Sequence, residues 1–109
     1  YAWYQVNSDD HTWPVASLKP NDFGLFDMQG NASEWVYDPP GGYPSGSEEA
    51  AADVSNTNAV SDSSRRILRG GANSYQKSLI RSADRLNHQP DSRYFIYGFR
   101  PSRTYNLSP

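Results

Sequence analysis

The stretch that decides the fold is NDFGLFDMQGNASEW, residues 21–35. Glycine, carboxylate, amide and aromatic residues make up most of it, and its apolar residues follow no helical or strand-like period. Residues 66–100 have a similar character, starting with RILRGGANS and ending with YGFR. This composition predicts a fold held by tight turns, polar networks and ion coordination.

Composition sets the broad class of the protein. A chain of 109 residues fits one small domain, and with 36% apolar and 14% aromatic residues its core must be largely aromatic. Eight glycines and eight prolines predict many turns and little regular structure. The net charge of -2 predicts no attraction to nucleic acid or to an anionic membrane, and no apolar run is long enough to span a bilayer.

The sequence contains no cysteine, which excludes disulfides, thiolate metal sites and a cysteine nucleophile. The compartment is left open, with a periplasmic or secreted location favoured. The first residues, YAWYQV, have the apolar character of a domain interior. We therefore expect the chain to be processed or to be a piece of a longer one.

The coarse interpretation is an α+β domain with short strands and extensive ordered loops. Phe23, Leu25 and Phe26 are expected in the core. A short docked helix is expected over residues 47–53, followed by a polar loop over residues 54–64. Strands are predicted over residues 1–6, 34–37, 66–69 and 94–100.

Two carboxylates flank a glycine turn in the first stretch. Asp27 and Glu34, together with the backbone carbonyls of Gly30 and Ala32, could surround a hard cation such as calcium. The same residues allow a second interpretation, in which the aspartate caps a turn and the glutamate pairs with an arginine. The residues alone leave both interpretations open.

Other charged residues suggest no specific chemistry. His11 and His88 stand alone and are interpreted as surface or loop histidines. The arginines could pair with Asp27, Asp84 and Asp91, or bind a sulfate, a carboxylate or an acidic sugar. They are Arg69, Arg81, Arg85, Arg93, Arg100 and Arg103.

Five blocks of this sequence, in this order, resemble the formylglycine-generating enzyme (sulfatase-modifying factor) family: PVASLKPNDFGLFDMQGNASEWV, RILRGGANS, RSADR, NHQPDSR and YGFR. The resemblance implies a C-type lectin-like fold of the α+β class. It covers only the carboxy-terminal part of the family domain, so residues 1–109 are expected to form part of a single, incomplete domain. The amino-terminal half is expected on another chain or on a removed segment.

The resemblance also implies metal sites. Carried over residue by residue, the calcium ligands are the side chains of Asp27 and Glu34 and the carbonyls of Gly30 and Ala32, with Asn31 supporting the turn. A second family calcium site lies upstream, and its later ligands would fall near residues 7–9. Those candidates are Asn7 and Asp9.

Catalytic members of this family oxidise a sulfatase cysteine with copper held by two cysteines that follow the RGGS motif. Here that region reads ANSYQKSLI, so copper is not expected. The resemblance therefore implies a calcium-stabilised, non-catalytic binding or structural module, acting in a larger assembly with a protein or carbohydrate partner or with the missing half. The expected partner surface is Asn73, Ser74, Tyr75, Gln76 and Lys77.

Two alternatives remain open at this point. The chain could belong to an enzyme of the wider family, formylglycine-generating or an iron-dependent sulfur-transfer oxygenase, with catalytic residues on the missing half. It could also be an assembly or maturation factor.

Overall fold

The computed structural model describes residues 1–38, 40 and 65–102. Over these residues the regular structure consists of four short strands and one 3-10 turn, and the remainder is ordered loop. The strands are β1 (Ser33–Val36), β2 (Arg66–Arg69), β3 (Leu86–His88) and β4 (Tyr97–Phe99), with the 3-10 turn at Lys77–Leu79.

The four strands form one mixed sheet in the order β3-β2-β1-β4. Strand β2 is antiparallel to both β1 and β3, whereas β4 lies parallel to β1. The register places Trp35 opposite Leu68 on one side and opposite Phe99 on the other. Because residues in register share a face of the sheet, these side chains lie on the same face.

The core is small and centred on β2. Ile67 and Leu68 are only 2% and 1% exposed, and since consecutive strand residues point to opposite faces, both faces of β2 are covered. Ala72 is also fully buried. Buried polar residues share this interior: Ser8, Asn31, Ser33 and Asn73.

Glycines with positive φ permit the close approaches that shape the loops. At Gly30 (φ 75°) a side chain would collide with the carbonyl oxygen of Trp3, so the first residues of the chain lie directly on this turn. At Gly71 (φ 72°) a side chain would lie 2.8 Å from the Ile80 side chain. Ile80, in the segment that follows β2, therefore packs against the glycine turn at which that segment begins.

The structure confirms the strands predicted around Trp35 and over residues 66–69. The strand predicted over residues 94–100 is reduced to Tyr97–Phe99, because a turn closed by the Tyr97 N–H and the Tyr94 carbonyl precedes it. The strand predicted over residues 1–6 is wrong, since the Tyr4 carbonyl closes a turn there by accepting from the N–H groups of Asn7 and Ser8.

The expectation that the first stretch supplies core residues is also wrong. Phe23 is 87% exposed, and Leu25 and Phe26 are 46% and 37% exposed. The cause is a tight loop around Asn21, whose side-chain oxygen accepts from the N–H groups of Phe23 and Leu25 at 3.0 Å each. That loop directs these side chains outwards.

The helix expected over residues 47–53 and the loop expected over residues 54–64 lie outside the described residues. Within the described part of the chain, no helix has the length and apolar character needed to cross a membrane.

Candidate functional site

The acidic turn, residues 27–34, is closed by one arginine from the end of β4. Arg100 donates from Nε to Glu34 Oε2 at 2.9 Å and from Nη2 to Oε1 at 2.7 Å. The same Nη2 lies 2.9 Å from the Phe26 carbonyl oxygen and 3.3 Å from that of Asp27. The hydrogen bond to Glu34 raises the pKa of Arg100, while partial burial acts in the opposite direction.

Asp27 performs a local capping role at the start of the turn. Its backbone has a φ of 53°, a left-handed conformation that aspartate tolerates better than most residues. Its Oδ2 accepts from the Ala16 N–H at 2.7 Å, which fixes the preceding loop. The contacts of Asp27 and Glu34 therefore match the second sequence interpretation, with a capping aspartate and an arginine-paired glutamate.

Asn31 supports the turn, as the family resemblance implied. It is only 5% exposed, and its amide accepts from the Trp13 N–H at 2.9 Å and donates to the Trp13 carbonyl at 3.1 Å. Its backbone N–H donates to the Trp3 carbonyl, and its carbonyl accepts from the Asn73 N–H. Four backbone and side-chain bonds thus join this residue to three separate segments.

Calcium binding at the acidic turn stays a prediction. The donor set has oxygen chemistry suited to a hard cation, and the backbone bonds formed by Gly30, Asn31 and Ser33 do not use the carbonyl oxygens of Gly30 or Ala32. Glu34, however, places both oxygens on Arg100. An ion at this turn would have to share Glu34 with that guanidinium.

The second predicted calcium site lies in the first loop and also stays a prediction. Asn7 Oδ1 accepts from the Tyr4 N–H at 2.8 Å, and its Nδ2 donates to the Ala2 carbonyl at 3.1 Å. Asp9 is exposed, with a φ of 53°. Within the described residues, no group of three or more histidine, cysteine, aspartate or glutamate side chains could hold a metal ion.

The predicted partner surface is corrected at one position. Asn73 is fully buried, because its N–H bonds the Asn31 carbonyl and its own carbonyl accepts from Ser8 Oγ at 3.0 Å. Ser74 and Tyr75 are half-buried, and burial raises the pKa of the Tyr75 phenol. The exposed part of that surface is Gln76 and Lys77.

Two of the predicted arginines form salt bridges with carboxylates of the described residues. Arg100 pairs with Glu34, and Arg81 pairs with Asp84 at the longer distance of 3.8 Å. Arg69 donates to the backbone carbonyls of Ser82 and Asp84. Arg103 lies outside the described residues.

The two histidines lie in different environments. His11 is exposed and its ring packs 4.6 Å from that of Trp13, which itself stacks on Trp3. His88 is not in a loop, because it pairs with Arg66 at the end of β3 and its ring lies 5.2 Å from that of Tyr97. The loop alternative for His88 is therefore wrong, since this residue is half-buried in the edge strand β3.

Sequence reasoning missed a groove beside β1, here called the Tyr37 groove. Its volume is about 330 Å³. The available signal was the spacing of two aromatic residues, Trp35 in β1 and Tyr37 directly after it, since residues two apart in an extended chain lie on one face. The Tyr37 groove is lined by Trp35, Val36, Tyr37, Arg66 and Pro90.

A larger cavity of about 470 Å³ opens beside the acidic turn, with Asp27 and Arg69 in its wall.

Comparison with known proteins shows relatives in several bacteria. The chain is 35% identical over 95 residues to a protein named serine/threonine-protein kinase pkn1 from Chlamydia pneumoniae, covering 87% of this chain and 15% of that protein. A protein of the same name from Chlamydia trachomatis serovar L2 is 35% identical over 91 residues, which is 82% of this chain and 14% of that protein. The chain thus spans about a seventh of these relatives.

Comparison with solved structures also finds proteins that are similar to this chain. Treponema denticola variable protein 1 superposes with a TM-score of 0.72 and 30% identity, over 91% of this chain and 34% of that one. The crystal structure of CarF superposes with a TM-score of 0.56 and 26% identity, over 81% of this chain and 26% of that one. These neighbours agree with the expected fold class, an α+β, C-type lectin-like domain with short strands and extensive ordered loops.

The family model described as the sulfatase-modifying factor enzyme 1-like domain matches residues 1–105. The arginine-closed acidic turn, the glycine turn after β2 and the aromatic strand β4 all lie within that match. The chain belongs to the sulfatase-modifying factor enzyme 1-like domain family.

Proposed function

We propose that this chain is a non-catalytic binding module that acts as part of a larger assembly. The observation that carries the proposal is the composition of residues 72–80, ANSYQKSLI, which follow the glycine turn of β2. The family resemblance implies that catalytic members carry two copper-binding cysteines in this segment. Because no thiol is present in this segment or elsewhere in the 109 residues, these residues supply no ligand for that oxidation.

The backbone of this segment is well fixed, which suits a role in presenting side chains. The Tyr75 N–H donates to the Ala72 carbonyl at 3.0 Å, and the Tyr75 carbonyl accepts from the Gln5 N–H at 3.1 Å. Gln76 and Lys77 project from this frame as exposed residues. A rigid backbone with exposed polar side chains lowers the entropy lost on binding, which supports a binding role.

The relatives supply two further supporting points. The named kinases are much longer than the matched region, which supports a domain of this kind working beside other domains. The Treponema relative is called a variable protein. Under the proposal, exposed residues such as Gln76 and Lys77 are the positions whose identity sets the choice of partner.

Calcium forms the second part of the proposal. Asp27 and the carbonyls of Gly30 and Ala32 would hold the ion, with Glu34 shared between it and Arg100. Bound calcium would contribute positive charge at the turn and a link between its two ends. The role of this calcium ion would be structural, because no thiol lies beside these ligands to take part in the family's oxidation chemistry.

The proposal is tested by adding copper(I) to the 109-residue protein and incubating it with a cysteine-containing sulfatase peptide. Mass spectrometry should show unmodified peptide. In parallel, surface plasmon resonance with a candidate partner protein should show binding that falls when Gln76 and Lys77 are both changed to alanine. Conversion of the peptide cysteine to an aldehyde would overturn the non-catalytic assignment.

A further inference from the structure

Residues 76–82, here called the basic turn, present two cations and contain no carboxylate. Their sequence is QKSLIRS. Among the described residues, the Lys77 ammonium forms no hydrogen bond or ion pair. The Arg81 side chain is 67% exposed, and its distance of 3.8 Å to Asp84 is too long for a hydrogen bond. Both cations can therefore bind a partner without giving up a hydrogen bond.

The backbone of the basic turn is held by bonds within it and by contacts from β2. The Leu79 N–H donates to the Gln76 carbonyl at 2.8 Å, which closes the 3-10 turn. Arg69, at the end of β2, donates to the Ser82 carbonyl at 3.2 Å. A side chain at Gly71 would lie 2.9 Å from the Leu79 carbonyl oxygen, so the glycine turn packs directly on this segment. A segment fixed in this way loses little entropy when it binds a partner.

The charged residues of the elements packed against the basic turn leave an excess of positive charge. Glu34, opposite Arg69 in the sheet, is neutralised by Arg100. The Asp84 side chain is only 16% exposed, so little of its charge faces a partner. The remaining set has four cations, Arg69, Lys77, Arg81 and Arg85, and two carboxylates, Asp84 and the Asp27 that shares a cavity wall with Arg69 and Ser82. This local excess favours a negatively charged partner.

The local excess follows from an uneven distribution of charge along the chain. Nine of the ten lysines and arginines follow residue 64, whereas ten of the twelve carboxylates precede it. The net charge of -2 is therefore the sum of an acidic first part and a basic second part. A basic surface can exist on this protein although the chain as a whole is acidic.

The side chains of the basic turn suit a protein partner better than a nucleic acid or a membrane. Protein–DNA complexes neutralise about six to ten phosphates, and anionic lipid binding uses clusters of about four to eight lysines and arginines. The basic turn offers only Lys77 and Arg81 as exposed cations. Between them Leu79 is 41% exposed, and Gln76 adds an exposed amide. An apolar side chain between two cations matches a protein segment in which carboxylates flank an apolar residue.

We infer that the basic turn binds an acidic segment of a partner protein, in which aspartates or glutamates flank an apolar side chain. The carboxylates accept hydrogen bonds from Lys77 and Arg81, and the apolar side chain packs against Leu79. This inference rests on the proposed function, because it names the chemical class of the partner that binds at Gln76 and Lys77. It also extends that surface to Leu79 and Arg81.

The test is a selection of random phage-displayed heptapeptides on the immobilised 109-residue protein, followed by affinity measurement with the best synthetic peptide. Enriched peptides should carry two or more Asp or Glu residues around an apolar residue. Binding should weaken about fivefold in Lys77→Gln and in Arg81→Gln, since each removes one exposed ion pair. Arg81→Lys should keep most of the affinity because it keeps the charge. Lys19→Gln and Arg93→Gln, at exposed positions outside the basic turn, are the matched controls and should bind as the wild type does.

Raising the sodium chloride concentration should weaken binding of the peptide, because exposed ion pairs are screened by salt. Circular dichroism of each variant separates lost binding from lost structure. Peptides that lack acidic residues but still depend on Gln76 and Lys77 would overturn the inference and leave the proposed function standing. Acidic peptides that respond to Lys19→Gln or Arg93→Gln as strongly as to the changes in the basic turn would also overturn it. So would the absence of any enriched peptide, whereas the non-catalytic assignment is decided separately by the oxidation assay.

Discussion

Arg100 lies 66 residues beyond Glu34 in the sequence and donates a hydrogen bond to each oxygen of its carboxylate, at 2.7 and 2.9 Å. The geometry is a bidentate one, in which the planar guanidinium matches the planar carboxylate. The Glu34 and Arg100 side chains are 24% and 36% exposed, so water screens the pair only partly. The pair therefore joins the end of β4 to the acidic turn.

Arg100→Met should lower the free energy of unfolding by about 1–2 kcal/mol, because Glu34 and the Phe26 carbonyl lose charge-assisted partners in a partly screened position. Urea denaturation measures the change. Arg81→Met is the matched control, since its 3.8 Å pair with Asp84 is largely exposed on the arginine side. Equal losses in the two variants would contradict the structural role of Arg100.

Gly30→Ala should destabilise the protein by about 2–4 kcal/mol, because the new methyl group adds a collision with the Trp3 carbonyl to the strain of a positive φ. Gly24→Ala separates the two effects. Gly24 has nearly the same φ, 76°, but a side chain there meets nothing within 4 Å, so the cost should be only about 1 kcal/mol. Thermal denaturation of both variants gives the comparison, and similar melting temperatures would show that Trp3 does not pack on this turn.

Stability should fall at alkaline pH through two partly buried phenols. Burial raises the pKa of Tyr75 and of Tyr97 above the ordinary value of 10.0. Since the folded state holds these protons more tightly than the unfolded state, the contribution is complete below pH 10 and is lost as pH rises through the folded pKa. Unfolding measured from pH 8 upwards should show a shallower decline in Tyr75→Phe and in Tyr97→Phe.

Calcium, if bound at the acidic turn, should raise the melting temperature of the wild type, and a chelator should lower it again. Asp27→Ala and Glu34→Ala should abolish most of this response. Asp22→Ala, an exposed carboxylate in the preceding loop, is the control that should keep it. Arg100→Met should strengthen the response, because the ion no longer shares Glu34. A wild type whose melting temperature is the same with and without chelator removes calcium from the proposal.

Two buried asparagines should differ in their contributions. Asn31→Ala should cost about 1–3 kcal/mol, because it leaves the Trp13 N–H without its acceptor. The amide atoms of Asn73 have no hydrogen-bond partner among the described residues, so Asn73→Leu should be close to neutral. Urea denaturation of both variants measures the difference. A large loss in Asn73→Leu would indicate an internal water that satisfies the amide.

Local features of the fold were readable from the sequence, and long-range ones were not. The glycine-rich turn and the strands around Trp35 and Ile67 could be predicted from nearby residues. The two possible roles of Glu34, as a calcium ligand or as the partner of an arginine, could be predicted in the same way. Which arginine pairs with Glu34 depends on β4 lying parallel to β1, and no local pattern encodes that pairing. The exposure of Phe23 and the burial of Asn73 were missed because hydropathy alone predicts the reverse.

The position of β4 beside β1 also has a consequence for how the chain folds. Strand β1 ends at Val36, yet its parallel neighbour begins only at Tyr97. During synthesis the edge of β1 stays unpaired until residue 99 has left the ribosome, because contacts so distant in sequence form late. A nascent chain halted before that residue leaves this edge of β1 without its parallel partner, and the arrival of β4 moves the open edge of the sheet from the longer strand β1 to the three-residue strand β4.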